Sequence, residues 1–181
     1  MKMTNSMWCK SAGMLITLVI AVLLPGCLVL SATESFSQRI GDFTVSSGSF
    51  DSENVDLSEN STYDDHKEDI ELVDRLGFSM NLVSLSGVPA TVSVYISDDP
   101  ALATPAEVAS KATLIFEDLE VPTAGRSIDY EESLDLLLSF PALQGAVEAG
   151  TFTVYAIAGG DYNVAINDVI VTITMTFTDT E

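Results

Sequence analysis

The strongest alternation of apolar and polar positions lies at residues 151–178. Within it, the odd-numbered positions of 169–177 are apolar, and the positions between them are threonines apart from Ile170. A period of two with many β-branched residues predicts a strand with one buried face. Residues 152–156 share this period, and Gly159-Gly160-Asp161 supplies turn residues between the two segments. The pattern therefore predicts a β-hairpin.

A second region of the same kind lies at residues 70–97. Apolar residues occupy the even positions of 70–82 except Asp74, which predicts a strand at about 76–85. After a turn at 84–87, the even positions of 90–96 are apolar and the odd ones polar, with Pro89 tolerated at the strand entrance. We expect a second hairpin that packs against the first.

Three local signals predict short helices in the connections. Thr104-Pro105-Ala106-Glu107 combines a capping box with proline at the first helical position and predicts a helix to about Lys111. Asp129 with Glu132 is a second capping signal, for a helix over 130–138. A third helix is expected at 141–148, closed by Gly150. Further strands are predicted at residues 40–46, 50–57 and 114–121.

About seven short strands with turn-rich connections predict an all-β fold, a two-sheet antiparallel β-sandwich that is Ig-like or jelly-roll-like and carries short helices in its connections. The period predicts that Val94, Ile96, Val154, Val171 and Ile173 are buried between the sheets. It places Tyr95 and Tyr155 on the outer faces. The apolar phase changes between Ile166 and Val169, so either a β-bulge lies at 167–168 or a loop extends to Asp168.

The N-terminal segment has the organisation of a secretory signal. Residues 1–10 are polar with two lysines, and residues 14–24 are apolar apart from Thr17. The following run, Leu24-Pro25-Gly26-Cys27, resembles the lipobox of bacterial lipoproteins, with proline where that family more often has Ala, Ser, Thr or Val. The resemblance implies cleavage before Cys27 and attachment of lipid such as palmitate to this residue.

This interpretation divides the chain into a signal peptide (1–26), a lipidated cysteine with a flexible tether (27–38) and a β-sandwich domain (39–181). Leu28 rather than Asp follows the cysteine, which by resemblance to Gram-negative sorting implies the outer membrane or the cell surface. Two alternatives stay open. Residues 14–30 reach the short limit of an uncleaved membrane span. Cleavage near Ser31 or Ala32 would give a soluble product.

Charge and cysteine content limit the partners and the stabilising bonds. The net charge is −20, and from Cys27 onward five basic residues stand against 27 acidic ones, a net −22. Phosphate binding needs clustered Lys and Arg, so nucleic acid is not an expected partner. Cys9 and Cys27 are the two cysteines, so residues 28–181 cannot form a disulfide within themselves.

The sequence lacks the common catalytic patterns. The single histidine, His66, lies in the polar segment 58–69, which has no apolar period and is expected to be a surface loop. Such a histidine is more often solvent-exposed than catalytic. Gly77-Phe78-Ser79-Met80-Asn81 lacks the final glycine of a nucleophile elbow, and no zinc or phosphate-loop motif is present.

Two kinds of binding are compatible with the residue types. Calcium prefers carboxylates on loops, although none of the candidates has EF-hand spacing. The calcium candidates are Asp51, Glu53, Asp56, Asp64, Asp65, Asp98 and Asp99. For a glycan partner, Tyr95 and Tyr155 are the expected outward aromatic residues.

We therefore expect a membrane-anchored extracytoplasmic lipoprotein, held by lipid on Cys27, whose domain acts by binding a protein or glycan partner or as a structural element. The alternative is a carboxylate-based hydrolase, or an accessory subunit of a glycan-active enzyme, that uses Asp64 with Asp129 or Glu131. For the binding or structural domain, no cofactor is expected.

Overall fold

The computed structural model describes the backbone of residues 30–179 and the side chains of residues 31–178. The predicted signal peptide (1–26) and the predicted lipidation site Cys27 lie outside the described residues. The strands are β1 (Leu30–Val45), β2 (Phe50–Asp56), β3 (Ile70–Ser84), β4 (Ala90–Ser97), β5 (Thr113–Val121), β6 (Arg126–Ile128), β7 (Thr151–Gly159) and β8 (Val164–Asp179). The helices are a short 3-10 helix (Leu57–Glu59), α1 (Ser61–His66), α2 (Pro105–Lys111), α3 (Tyr130–Leu136) and α4 (Phe140–Ala149). Within this part of the chain, no helix has the length and apolar character needed to cross a bilayer.

The strands form two four-stranded antiparallel sheets. Sheet one has the hydrogen-bonding order β1-β8-β3-β6, and sheet two has the order β2-β7-β4-β5. The pairs β1·β8, β2·β7, β3·β6 and β4·β5 are nested, so consecutive strands lie in opposite sheets except β4 and β5. This order is the jelly-roll form of the β-sandwich. The predicted sandwich is confirmed, and so are the three helices predicted from their caps.

Both predicted hairpins are wrong in their pairing. β7 pairs with β2 and β4, whereas β8 pairs with β1 and β3 in the other sheet. β3 and β4 are separated in the same way. The reason is that a period of two identifies the buried face of a strand but not its neighbour, and a short turn at the end of a sandwich can cross between sheets.

The core between the sheets is the predicted one, because both crossing turns keep the apolar faces inward. Val94, Ile96, Val154, Val171 and Ile173 are each at most 6% exposed.

At the start of β3, the predicted inward direction of the even-numbered apolar residues is wrong. Register shifts follow Ile70 and Val73 in the pairing with β8, so Leu72 is 47% exposed and Val73 is buried instead.

The change of phase in β8 is a β-bulge. Ile170 pairs with Ser79 and Asn167 pairs with Asn81, so two residues of β8 face the single residue Met80. Asp168 adopts a positive φ of 54° at this point. The strand therefore continues through the bulge, and its apolar side chains face the core on both sides of it.

Residues 30–38, which were predicted to form a flexible tether, are part of β1. Their serines and a threonine pair with threonines of β8 across the outer face of sheet one. The hydroxyl oxygens lie 2.9 Å apart in Thr33–Thr176, 2.7 Å apart in Ser35–Thr174 and 2.9 Å apart in Ser37–Thr172. We call these three pairs the hydroxyl ladder. The composition resembled a linker because the ladder joins the strands through polar rather than apolar side chains.

The segment predicted as a polar surface loop, 58–69, is mostly helical. The Asp56 and Asn60 side chains accept hydrogen bonds from the backbone N–H of Ser58 and Thr62, and so start the 3-10 helix and α1. Apolar periodicity is missing because Tyr63 is the one buried residue of the short α1.

The helices α1, α3 and α4 lie against the part of sheet one that extends beyond sheet two, whereas α2 lies on the outer face of sheet two. β1, β3 and β8 have 15 or 16 residues each, whereas the strands of sheet two have seven to nine. Tyr63 packs on Phe36 with ring centroids 6.1 Å apart, and its hydroxyl donates to the Val147 carbonyl of α4 at 2.7 Å. His66 is half-buried rather than free in solvent, because its ring stacks on Phe177 at 3.7 Å.

Candidate binding site

The two ends of the sandwich differ in their connections. Four short turns lie at one end, which we call the loop end. These turns are residues 46–49, 85–89, 122–125 and 160–163. The connections β2–β3, β4–β5 and β6–β7 carry all the helices of the described chain and form the opposite, helical end. Short turns on rigid strands are favourable places for a binding site.

Hydrogen bonds through Asn163 hold three of these turns together. Its side-chain Oδ1 accepts from the Ser47 backbone N–H at 2.9 Å, and its carbonyl accepts from the Leu85 N–H at 2.8 Å. Its own N–H donates to Ser86 Oγ at 2.7 Å. The β7–β8 turn is thereby joined to the β1–β2 and β3–β4 turns, so the loop end is ordered before any ligand arrives.

A cleft of about 610 Å³ opens at this end. Pro89 and Pro122 line it, together with the buried Ala90 and Val121. Tyr162 also lines it and is 37% exposed. The proline rings offer apolar walls without a backbone donor. The volume is within the range of about 300–1,000 Å³ that is typical of small-molecule sites.

The polar groups of the cleft are Thr91, Glu120 and Arg126. Arg126 Nη2 donates to Glu132 Oε1 at 2.5 Å, and Nη1 donates to the Glu120 carbonyl at 3.5 Å. The Arg126–Glu132 pair is a partly buried ion pair, so the positive charge of Arg126 is balanced within the protein. Among residues 31–178, no hydrogen bond or ion pair engages the Glu120 carboxylate. The cleft therefore offers an available acceptor but no unbalanced cation.

The aromatic residues expected from the sequence are not the exposed ones. Tyr155 lies on the outer face of sheet two, as predicted, but it is 0% exposed because Leu102 and Val108 cover it. Its hydroxyl donates to the Asp99 carbonyl at 2.6 Å. Tyr95, its cross-strand partner, is half-buried against the same cluster. Tyr162 was missed because a single tyrosine in a turn belongs to no periodic pattern.

The calcium candidates are spread over several elements. Asp51 and Glu53 lie on β2, Asp56 ends β2, Asp64 and Asp65 lie on α1, and Asp98 and Asp99 follow β4. Hydrogen bonds from the Ser58 hydroxyl and N–H hold the pKa of Asp56 below its usual range. In the described part of the chain, no three Asp, Glu, His or Cys side chains are grouped as a metal ion requires. Calcium binding stays a prediction without support from the geometry.

The acids considered for hydrolysis are engaged separately. Asp64, on α1, pairs at 2.7 Å with Lys67, the residue that follows this helix. Asp129 caps α3 by accepting from the Glu132 N–H at 2.9 Å, and Glu131 lies 3.9 Å from Arg75. None of the three lines the cleft at the loop end. The fold does not bring them together at this cleft.

No protein-family model matches the chain, and no curated protein matches it either. Three solved structures of viruses are similar over most of its length. A cryo-EM structure of Mud crab tombus-like virus has a TM-score of 0.42 and 11% identity, and covers 100% of this chain and 88% of the other. Desmodium yellow mottle tymovirus has a TM-score of 0.33 and 11% identity, covering 100% and 95%. Turnip yellow mosaic virus has 0.34 and 10%, covering 84% and 96%. At TM-scores below 0.5, this likeness carries no argument about what the chain does.

Proposed function

We propose that the chain is a membrane-anchored extracytoplasmic lipoprotein, and that its β-sandwich is a non-catalytic binding domain whose cleft faces away from the membrane. The lipobox-like run Leu24-Pro25-Gly26-Cys27 supports the anchor. The cleft at the loop end supports the binding role.

The observation that carries the proposal is the direction of β1. This strand starts at Leu30, at the helical end, and reaches the loop end at Val45. Leu28 and Val29 are the two residues between Cys27 and its start. At about 3.3 Å per residue, a strand of this length spans about 50 Å. A lipid on Cys27 would keep the helical end beside the bilayer and hold the cleft far from it.

The charge of the domain supports the same orientation. From Cys27 onward, 27 acidic residues face five basic ones. Anionic headgroups repel such a surface, so the domain has no electrostatic reason to lie flat on the membrane.

The chemistry of the cleft favours binding over hydrolysis. Acid–base hydrolysis of a glycoside needs two carboxyl groups across the reacting bond. The cleft contributes one carboxylate, from Glu120. If the protein hydrolysed a glycan and the Asp64→Asn variant lost this activity, the result would favour the carboxylate-based hydrolase and contradict a non-catalytic domain.

The anchor is tested by Cys27→Ser in the full-length protein. We expect the variant to leave the membrane fraction or to accumulate as an unprocessed precursor, because the lipid acceptor is missing. Ser31→Ala, four residues further on, is a control that should stay in the membrane fraction. A mature N-terminus at Ala32, found by mass spectrometry of the native protein, would contradict the lipoprotein anchor.

The orientation is tested with single reporter cysteines, since residues 28–181 have none. Asp65→Cys places a fluorescent label on α1 at the helical end, and Thr123→Cys places one in a turn at the loop end; both positions are exposed. Quenchers on lipid headgroups should reduce the fluorescence at position 65 and leave position 123 unchanged. Equal quenching at both positions would show that the domain lies flat.

A further inference from the structure

We infer that the cleft at the loop end is a site for a neutral saccharide, with one sugar ring stacked on Tyr162. The inference rests on the proposed binding role of this end and names its ligand class. Four properties of the cleft point to it, namely the exposed ring, the polar groups beside it, the balance of charge and the order of the turns.

The ring of Tyr162 is held at the mouth of the cleft. It lies against Gly160, where an added Cβ would be 3.2 Å from Tyr162 Cε2 and where φ is +69°. The glycine thus permits both the turn and the close approach of the ring. A sugar ring has an apolar C–H face that can pack on an aromatic ring, and a tyrosine at a wet surface combines an apolar body with a polar tip.

The polar groups beside the Tyr162 ring can form hydrogen bonds with the hydroxyl groups of a sugar. A sugar hydroxyl donates one hydrogen bond and accepts others, as the hydroxyl of serine does. The Glu120 carboxylate can accept from such a hydroxyl, and a bond to an ionised acceptor is stronger than a neutral one. Thr91 supplies a hydroxyl, and the Arg126 guanidinium has five N–H donors, of which Glu132 and the Glu120 carbonyl engage two.

The charges of the site select against acidic ligands. Glu132 balances Arg126, so an anion would meet the available Glu120 carboxylate without an unbalanced cation. The strongly acidic domain adds a repulsive field to this local effect. Uronic acids, phosphorylated sugars and nucleic acids are therefore disfavoured relative to neutral sugars.

The order of the turns favours binding at low entropic cost. The Asn163 N–H donates to Ser86 Oγ and its carbonyl accepts from the Leu85 N–H, which joins the turn that carries Tyr162 to the turn that carries Ser86. The cleft volume of about 610 Å³ accommodates a small part of a glycan chain and is open to solvent at the end of the sandwich. Such a site would take the terminal part of a longer neutral glycan.

The test uses the full-length protein in a detergent without a sugar headgroup and isothermal titration calorimetry. The probes are neutral oligosaccharides of glucose, mannose, galactose and N-acetylglucosamine, with oligogalacturonate as the anionic probe and a lysine-rich peptide as the protein-like probe. We expect at least one neutral oligosaccharide to bind, and to bind more tightly than oligogalacturonate or the peptide.

Variants of the cleft give the decisive comparison. Tyr162→Ala should weaken binding about tenfold or more, Tyr162→Phe should retain it within about threefold, and Glu120→Gln should weaken it by several-fold, because stacking and the charged acceptor are lost separately. Leu138→Ala, at an exposed apolar residue of the helical end, is the matched control and should bind as the native protein does. Thermal melts establish that each variant is folded.

Three results would overturn the inference. They are binding of no neutral probe, unchanged binding by both folded Tyr162→Ala and Glu120→Gln, and tighter binding of oligogalacturonate or the peptide. None of these depends on the fractionation of Cys27→Ser, so failure of the saccharide site and failure of the lipid anchor are distinguishable.

Discussion

Two glycines show how tightly a single position is constrained by what lies across from it. A Cβ at Gly77 of β3 would lie 2.6 Å from Tyr130 Cε2, whereas nothing lies within 4 Å of one at Gly145 of α4. Gly77→Ala should cost about 1–3 kcal/mol because it overpacks a filled site. Gly145→Ala should raise the free energy of unfolding by about 0.5–1 kcal/mol, because alanine loses less backbone conformational entropy than glycine when the helix forms. Urea unfolding measures both, and changes of the same sign would contradict the packing described for Tyr130.

The two faces of β8 give a second comparison between single residues. Ile173 is 0% exposed, whereas its neighbour Thr172 lies on the outer face with its hydroxyl 2.9 Å from that of Ser37. Ile173→Ala should cost about 2–5 kcal/mol because it leaves a cavity. Thr172→Ala removes one contact of the hydroxyl ladder and should cost about 0.2–1 kcal/mol. A larger loss for Thr172 in thermal melts would show that the strand faces the other way.

Among the elements, β8 depends on the bulge at Asp168. This residue has φ of +54°, which aspartate and asparagine tolerate but β-branched residues do not. Asp168→Val should cost about 1–2 kcal/mol, whereas Asp168→Asn should change stability by at most about 0.5 kcal/mol, since the ion pair that it loses with Arg39 is exposed. Denaturant melts of the two variants measure the difference. Equal costs would mean that the positive φ is not what the bulge requires.

The helix α2 and the segment before it cover the outer face of sheet two. The Ala103 N–H, and then the Lys111 ammonium, hold the pKa of Glu107 below its usual range. A carboxyl group whose pKa is lowered by folding contributes stability above its unfolded pKa of about 4.3, and this contribution is lost as the pH falls through the lower folded value. The protection factors of the Val108 and Ala112 amides, taken relative to the intrinsic exchange rate at each pH, should therefore fall in that acid range. Glu107→Gln should remove this pH dependence, and an unchanged profile in the variant would assign it to another group.

For the whole molecule, the dominant long-range term is self-repulsion by a net charge of −20. Raising NaCl from 10 to 200 mM should raise the Tm, because the Debye length shortens to about 10 Å near 0.1 M. At equal ionic strength, CaCl2 and MgCl2 should raise it alike, since the described acids are not grouped for a metal ion. A larger rise with CaCl2 would instead support calcium binding at the candidate acids.

What the sequence by itself determined is local. A period of two depends on one strand and its own buried face, so the inward positions of β4, β7 and β8 followed from the pattern. The caps Thr104 and Asp129 bond to backbone groups three residues away, so α2 and α3 followed as well. The bulge at Asp168 was one of two open alternatives, because a change of phase shows that the register slips but not how the chain absorbs it.

What only the tertiary structure decided is long-range. The nested order of strands separates β7 from β8 and β3 from β4, although each pair is joined by a short turn. Tyr155 is covered by Leu102 and Val108, residues about fifty positions away along the chain, so its alternating position did not reveal its burial. The cleft likewise gathers Thr91 from β4, Glu120 from β5 and Tyr162 from the β7–β8 turn. Each of these features depends on which segments meet in space, and the free energy that selects the partners comes from one shared core rather than from any single segment.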